Sequence, residues 1–212
     1  MHILKKSILA SAIAASSAVA VAEVSMTVGM VSDYIYRGAS LGNAGAYGSL
    51  DYASGGFYAG IWAISDGFNE GGTDGDSSIE YDLYAGYETE ISGVSLGLGY
   101  TAYEYSYDDV SESEITISAA YGPASLSYSM ANDDDVTSDA DFDVMTLGYE
   151  LGPISYTYGD VDYDDSDDSD YTWAEISAGT EVGAVSIGFT VGENLTSGTD
   201  YMVLDVSTGI DL

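Results

Sequence analysis

Val94-Ser95-Leu96-Gly97-Leu98-Gly99-Tyr100-Thr101 alternates an apolar residue with a small or polar one at every step. Successive side chains of a β-strand point to opposite faces, so this stretch has one apolar face and one polar face. The same period of two recurs in Val185-Ser186-Ile187-Gly188-Phe189-Thr190-Val191 and in Ile115-Thr116-Ile117-Ser118-Ala119. After Ala22 no apolar run approaches the ~20 residues that a spanning helix needs. If the chain meets a membrane after that point, it must do so as strands.

Reading outward from this stretch predicts twelve such segments, near 23–37, 46–53, 57–65, 78–89, 94–105, 114–121, 124–130, 142–151, 154–162, 171–181, 185–191 and 201–212. Most are close to the ~9–11 residues of a tilted strand crossing a bilayer. Those at 46–53, 124–130 and 185–191 read as short. The segment at 57–65 is ambiguous, because Phe57, Ile61, Trp62 and Ile64 place apolar groups on both faces.

The connections alternate between tight and long. Tight ones are Ser54-Gly55-Gly56, Ile91-Ser92-Gly93, Gly122-Pro123, Gly152-Pro153 and Val182-Gly183-Ala184. Long ones lie near 38–45, 66–77, 106–113, 131–141, 163–170 and 192–200. Short turns at one end, longer loops at the other and an even strand number are the pattern of outer-membrane barrels. Both termini then fall at the tight-turn end. The last stretch is two-faced, with Met202, Leu204, Val206, Thr208, Ile210 and Leu212 on one side. Its pairing with the first strand would close the sheet and remove edges that lipid cannot hydrogen-bond. The expected fold class is all-β: a closed antiparallel transmembrane β-barrel of about twelve strands. Aromatic residues near strand ends fit two girdles. Tyr34, Tyr36, Tyr81, Tyr103 and Tyr171 lie toward the loop end; Phe57, Tyr87, Tyr121 and Tyr149 lie toward the turn end.

Residues 1–22 read as a cleaved signal peptide, which leaves 23–212 as the barrel. Lys5 and Lys6 form a positive n-region, an uncharged Ala/Ile/Val/Ser stretch follows, and Ala20-Val21-Ala22 is a small-x-small cleavage site. The signal would carry off both lysines and His2. All 36 acidic residues then remain against Arg37 alone. The 20 tyrosines and the hydrophobic fraction of 46% argue against disorder despite this charge.

The absences narrow the chemistry. The chain has no Cys, and its one His lies in the signal. Ser-His-Asp, Cys-His and His-containing zinc sites are therefore out of reach. A carboxylate pair able to hydrolyse glycosides remains formally open, but chance pairs are unavoidable among so many acids. The reading is no enzyme and no cofactor. Phosphate repulsion excludes nucleic acid.

Function would sit in the lumen. With the apolar face outward, the pore-lining candidates are Asp33, Asp51, Glu80, Asp82, Glu88, Glu150, Glu175 and Asp205, with Arg37 among them. Rings of carboxylates favour cations. Arg37 has two compatible readings: a constriction charge, or a structural ion pair with an inward carboxylate. Asp160, Asp162, Asp164 and Asp168 have spacing that could serve calcium, but the glycine of an EF-hand loop is missing. A solvated acidic rim is the simpler account. The expected partners are outer-membrane lipid and lipopolysaccharide, with divalent cations bridging the anionic surfaces, and small solutes or cations in the pore.

Val31-Ser32-Asp33-Tyr34-Ile35-Tyr36-Arg37-Gly38 resembles the opening strand of the TorF-family porins, a Gly-rich outer-membrane group of unknown function. Asp51-Tyr52, Gly56-Phe57-Tyr58-Ala59-Gly60-Ile61-Trp62 and Glu80-Tyr81-Asp82-Leu83-Tyr84-Ala85-Gly86-Tyr87 continue the likeness, which is strongest over 24–104. The resemblance implies an outer-membrane barrel and a pore, with no established substrate. The expected function is passive diffusion of small solutes, cations preferred. The alternative is a non-conducting structural or surface-interaction barrel with acidic, calcium-bridged loops.

Overall fold

The computed structural model describes residues 22–65, 79–106, 111–133, 141–164 and 169–212. The signal-peptide reading, with the exception of Ala22, lies outside them. The described residues form strands β1 (Glu23–Val31), β2 (Tyr34–Tyr36), β3 (Ala39–Gly42), β4 (Gly45–Ser54), β5 (Phe57–Ser65), β6 (Ile79–Ile91) and β7 (Val94–Tyr105). These are followed by β8 (Ser111–Tyr121), β9 (Ala124–Asp133), β10 (Phe142–Leu151), β11 (Ile154–Tyr163), β12 (Tyr171–Val182), β13 (Val185–Asn194) and β14 (Thr199–Asp211). Twelve of them close an antiparallel barrel in the order β1-β14-β13-β12-β11-β10-β9-β8-β7-β6-β5-β4, and β2 and β3 form a separate two-stranded sheet.

Closure is made by the first and last barrel strands, with Met26 opposite Ile210 and Met30 opposite Val206. The Leu212 amide extends the seam by donating to the Val24 carbonyl at 2.9 Å. The tight ends are two-residue turns, and the left-handed backbone they need falls on Gly55, Gly56, Gly93, Gly122, Gly152 and Gly183, and on Ser92 beside Gly93. In Gly122-Pro123 and Gly152-Pro153 the glycine takes the positive φ and the proline the negative one, the division a II′ hairpin turn requires.

Alternation sets the two surfaces. Leu50, Leu83, Leu98, Ile117, Leu147 and Phe189 point outward and are exposed, while Ser49, Ser95, Ser129 and Ser207 point inward and are buried. The segments that read as short reach full strands, because cross-strand pairing carries them into the expected loops. Pairing of β13 with β14 runs out to Asn194 opposite Thr199. The expected long loop at 192–200 is therefore a tight connection, held by the Gly198 amide donating to the Asn194 carbonyl at 2.8 Å.

Two expectations need correction. The opening strand does not run to Arg37: it stops at Val31, bends at Ser32 and Asp33, and the chain turns into the β2–β3 hairpin. The loop-end girdle is also wrong. Of its proposed members, Tyr81 faces outward, whereas Tyr34 is buried and Tyr36, Tyr103 and Tyr171 pack inside. The turn-end set, Phe57, Tyr87, Tyr121 and Tyr149, is outward and exposed as read.

Candidate functional site

The lumen wall is built from rows that cross three strands. On β6, Tyr84 stands opposite Gly60 of β5, and Gly60 stands opposite Asp51 of β4. The tyrosine ring lies flat over the glycine, and its hydroxyl donates to Asp51 Oδ1. A Cβ on Gly60 would sit 2.5 Å from the Tyr84 hydroxyl oxygen, so only glycine leaves room for the ring. Ser49 Oγ donates to the other Asp51 oxygen at 2.7 Å.

The same row recurs across β14, β13 and β12. Tyr201 lies over Gly192 and donates to Glu175 Oε2 at 3.0 Å. A variant stands at the seam, where Tyr47 of β4 lies over Gly29 of β1 but donates to Asp205 Oδ2 of β14 at 2.7 Å, two residues from Ser207, the β14 residue opposite Gly29. A ring laid along the wall takes less of the lumen than one projecting into it.

The β2–β3 hairpin folds into this lumen. Its turn is Arg37-Gly38, with φ of 51° and 76°, as a I′ turn needs at both central positions. Tyr34 donates to Glu80 of β6 at 2.9 Å. The Tyr36 and Tyr103 hydroxyls, from β2 and β7, share a hydrogen bond of 2.9 Å. Arg37 Nη2 meets Glu114 Oε2 of β8 at 2.6 Å, with both side chains largely buried, and the guanidinium lies 4.7 Å from the centroid of the Tyr36 ring. On the far wall Gly38 packs so closely on Trp173 of β12 that a Cβ there would lie 2.4 Å from the Trp173 Cβ.

Apolar packing fixes the hairpin on either side. Tyr34 is buried with Val31, Tyr47, Ile64 and Val203, against which Ile35, Tyr36 and Trp62 pack. This explains the two apolar faces of 57–65: Trp62 and Ile64 face inward and are covered by the hairpin. A second cluster, Val144, Val161 and Trp173 with Phe142, Tyr163 and Tyr171, lines the opposite wall. Burial, and then Glu80 beside it, pushes the Tyr34 hydroxyl well above its ordinary range, so it remains a donor.

Of the sequence-predicted residues, Asp51, Glu80, Asp82, Glu88, Glu150, Glu175 and Asp205 share the inward strand face, with Glu150 near the turn end. Asp33 and Arg37 lie off the barrel wall, in the bend before the hairpin and at its tip. The structure adds Glu114, Tyr34, Tyr47, Tyr84 and Tyr201, which sequence reading did not select. Glu114 shares the inward face of β8 with Thr116 and Ser118, a face legible from the alternation. The tyrosine rows need the register, which the sequence does not print. Asp160 and Asp162 fall on the outward face of β11, Asp164 lies just beyond it and Asp168 lies outside the described residues. Among the described residues no group of three or more acidic or histidine side chains gathers at metal-holding distance.

Residues 14–210 match the family Gcw_chp, described as a bacterial protein of unknown function. No curated protein matches the chain. Among solved structures it is similar to a KdgM porin, at 9% identity and TM-score 0.56, covering 90% of this chain and 99% of that one. A KdgM porin in complex with disordered oligogalacturonate matches at 9% identity and TM-score 0.51, over 89% and 97% of the two chains. An outer membrane channel from Pseudomonas putida F1 matches at 11% identity and TM-score 0.53, over 92% and 97%. At such identities the likeness is one of fold, and the fold is that of a porin-like barrel.

Proposed function

We propose that this chain, which belongs to the Gcw_chp family, is an outer-membrane porin that passes small solutes passively and prefers cations. The observation that carries the reading is the pairing of an apolar outer surface with an inner wall of tyrosine-held carboxylates in one closed barrel. A surface as apolar as the ring of Leu50, Leu83, Leu98, Ile117 and Leu147 belongs in lipid rather than water. Transport then needs no catalysis, only a polar path whose charge selects. The signal-like residues 1–22 fit export to that membrane.

Charge sets the solute class. Asp51, Glu80, Asp82, Glu88, Glu114, Glu175 and Asp205 face inward, and the one basic residue among the described residues, Arg37, is already paired with Glu114. Oligogalacturonate, the ligand in one KdgM structure, is a polyanion, and this lumen would repel it. Neutral or cationic solutes are the expected traffic.

The test is the full-length mature protein in a planar bilayer under a KCl gradient. Discrete conductance steps with a reversal potential on the cation side support the proposal. Anion selectivity would overturn the charge argument. One observation favours a second reading, a barrel closed to solutes: the hairpin lies across the lumen. Silence from verifiably folded protein would select it.

A further inference from the structure

We propose that the β2–β3 hairpin is the barrier of this lumen and that the Arg37–Glu114 ion pair is the latch holding it shut. The proposal rests on the barrel having a lumen that solutes enter, and it adds where passage is controlled.

Three observations carry it. First, the hairpin is tethered at its base and docked at its tip. At the base, the Ser32 amide donates to the Leu204 carbonyl, and Ser32 Oγ accepts from the Leu204 amide, both at 2.9 Å. Beyond this point β2 and β3 pair only with each other, so the element can move as a unit without breaking the ladder of the barrel.

Second, the docking contacts fall on opposite walls. Tyr34, Tyr36 and Arg37 reach β6, β7 and β8 in turn. Gly38 rests on Trp173 of β12, and β12 is separated from β8 by β9, β10 and β11 in the barrel order. An element touching both sides must narrow the space between them.

Third, the latch residue is held in a conformation it does not favour alone. Arg37 has φ of 51°, a left-handed backbone that L-residues with a Cβ rarely adopt. Such strain persists where surrounding contacts over-determine it, and it gathers at functional positions. Here the I′ turn of the hairpin sets that backbone, and Glu114 and the Tyr36 ring hold the side chain it presents. If the pair breaks, Glu114 is left as a largely buried, unneutralised acid on the wall. That uncompensated charge favours undocking.

The test measures single-channel conductance in planar bilayers for the full chain and three variants. Each is first shown to be folded by heat-modifiable migration on gels. Arg37→Asn removes the cation but keeps a residue that tolerates left-handed backbone. A second variant replaces residues 34–42 with a short Gly-Ser linker. A third carries Arg37→Cys with Glu114→Cys. The chain has no other cysteine, so a cleavable bifunctional thiol reagent can join the two positions and a reductant can release them.

The first two variants are expected to raise conductance by about two-fold or more. The cross-linked double variant should stay at the wild-type level and rise on reduction. Unchanged conductance in Arg37→Asn and in the linker variant, with a conducting wild type, overturns the hairpin inference and leaves the porin reading standing. A silent wild type with a conducting linker variant supports the hairpin as barrier and overturns passive passage. Silence throughout overturns both.

Discussion

The Tyr201 hydroxyl crosses the backbone of Gly192 and donates to Glu175 Oε2 at 3.0 Å, tying β14 to β12 over the intervening strand. Tyr84 with Asp51 over Gly60 repeats the arrangement, and Tyr47 over Gly29 reaches Asp205 by a diagonal offset of two residues along β14. The glycines here are a packing requirement rather than turn residues. Each is the floor on which a ring lies, and the ring in turn covers backbone that a glycine leaves bare.

Filling that floor should therefore be damaging. A Cβ at Gly192 would lie 2.3 Å from Tyr201 Cζ, so Gly192→Val must lift the ring off the wall. The expected cost is about 1–3 kcal/mol, read as a lower urea midpoint for unfolding from lipid bilayers. Tyr201→Phe keeps the ring seated and loses only the hydrogen bond, about 1 kcal/mol. Equal stability of Gly192→Val and wild type would mean that the ring does not depend on the glycine.

The carboxylates at the ends of these rows should set ion preference together. Neutralising Asp51, Glu175 and Asp205 as Asp51→Asn, Glu175→Gln and Asp205→Asn keeps their size and some of their hydrogen bonding. The reversal potential in a KCl gradient is expected to move toward zero, with the triple variant moving furthest. A reversal potential that stays on the cation side, unchanged, would assign selectivity to the acids around the hairpin instead.

Alkaline pH should weaken the docking of the hairpin. Tyr34 is not on a membrane-spanning strand, and burial, reinforced by Glu80, raises its hydroxyl above the ordinary value of 10.0. An acid whose folded pKa is raised keeps its proton in the folded state while the unfolded chain loses it. Stability is therefore fully present below about pH 10 and falls as pH rises beyond it. Tyr34→Phe should be less stable at neutral pH by about 1 kcal/mol and flatter above pH 10. Parallel stability curves for the two proteins across that range would show that Tyr34 is not the group responsible.

The strands were legible because a period of two survives wherever one side of the sheet is apolar and the other is not. Val94 to Thr101 states this locally, and closure follows from the two-faced stretch at 201–212. The hairpin was hidden by the same rule. Val31 to Arg37 continues the alternation past the point where the chain leaves the barrel, and only long-range contacts to Glu80, Glu114 and Trp173 show where it goes. Two signals pointed to it. Arg37-Gly38, between Tyr34-Ile35-Tyr36 and Ala39-Ser40-Leu41, has the composition of a short turn with glycine second. Trp62 and Ile64 are apolar on a face that elsewhere is small or polar, so something apolar had to cover them. The tyrosine rows depend on which residues stand opposite one another across three strands, and no local pattern encodes that.

The two faces of the wall make opposite predictions for the same substitution. Leu98 points outward from β7 and is exposed, opposite Tyr87 and Ile117 on its neighbours. If that face meets hydrocarbon, Leu98→Arg places a charge where nothing solvates it, at a cost of about 2–4 kcal/mol near the bilayer midplane. Thr157 points inward from β11, and its register partner on β12 is Glu175. An arginine there gains an acidic neighbour and water, so Thr157→Arg should leave unfolding from lipid nearly unchanged. It should weaken the cation preference, because it adds an inward charge opposite in sign to the rest. Urea titration in bilayers of defined thickness, followed by reversal potentials for both variants, separates the faces. A larger loss of stability in Thr157→Arg than in Leu98→Arg would require the barrel's apolar surface to face something other than lipid.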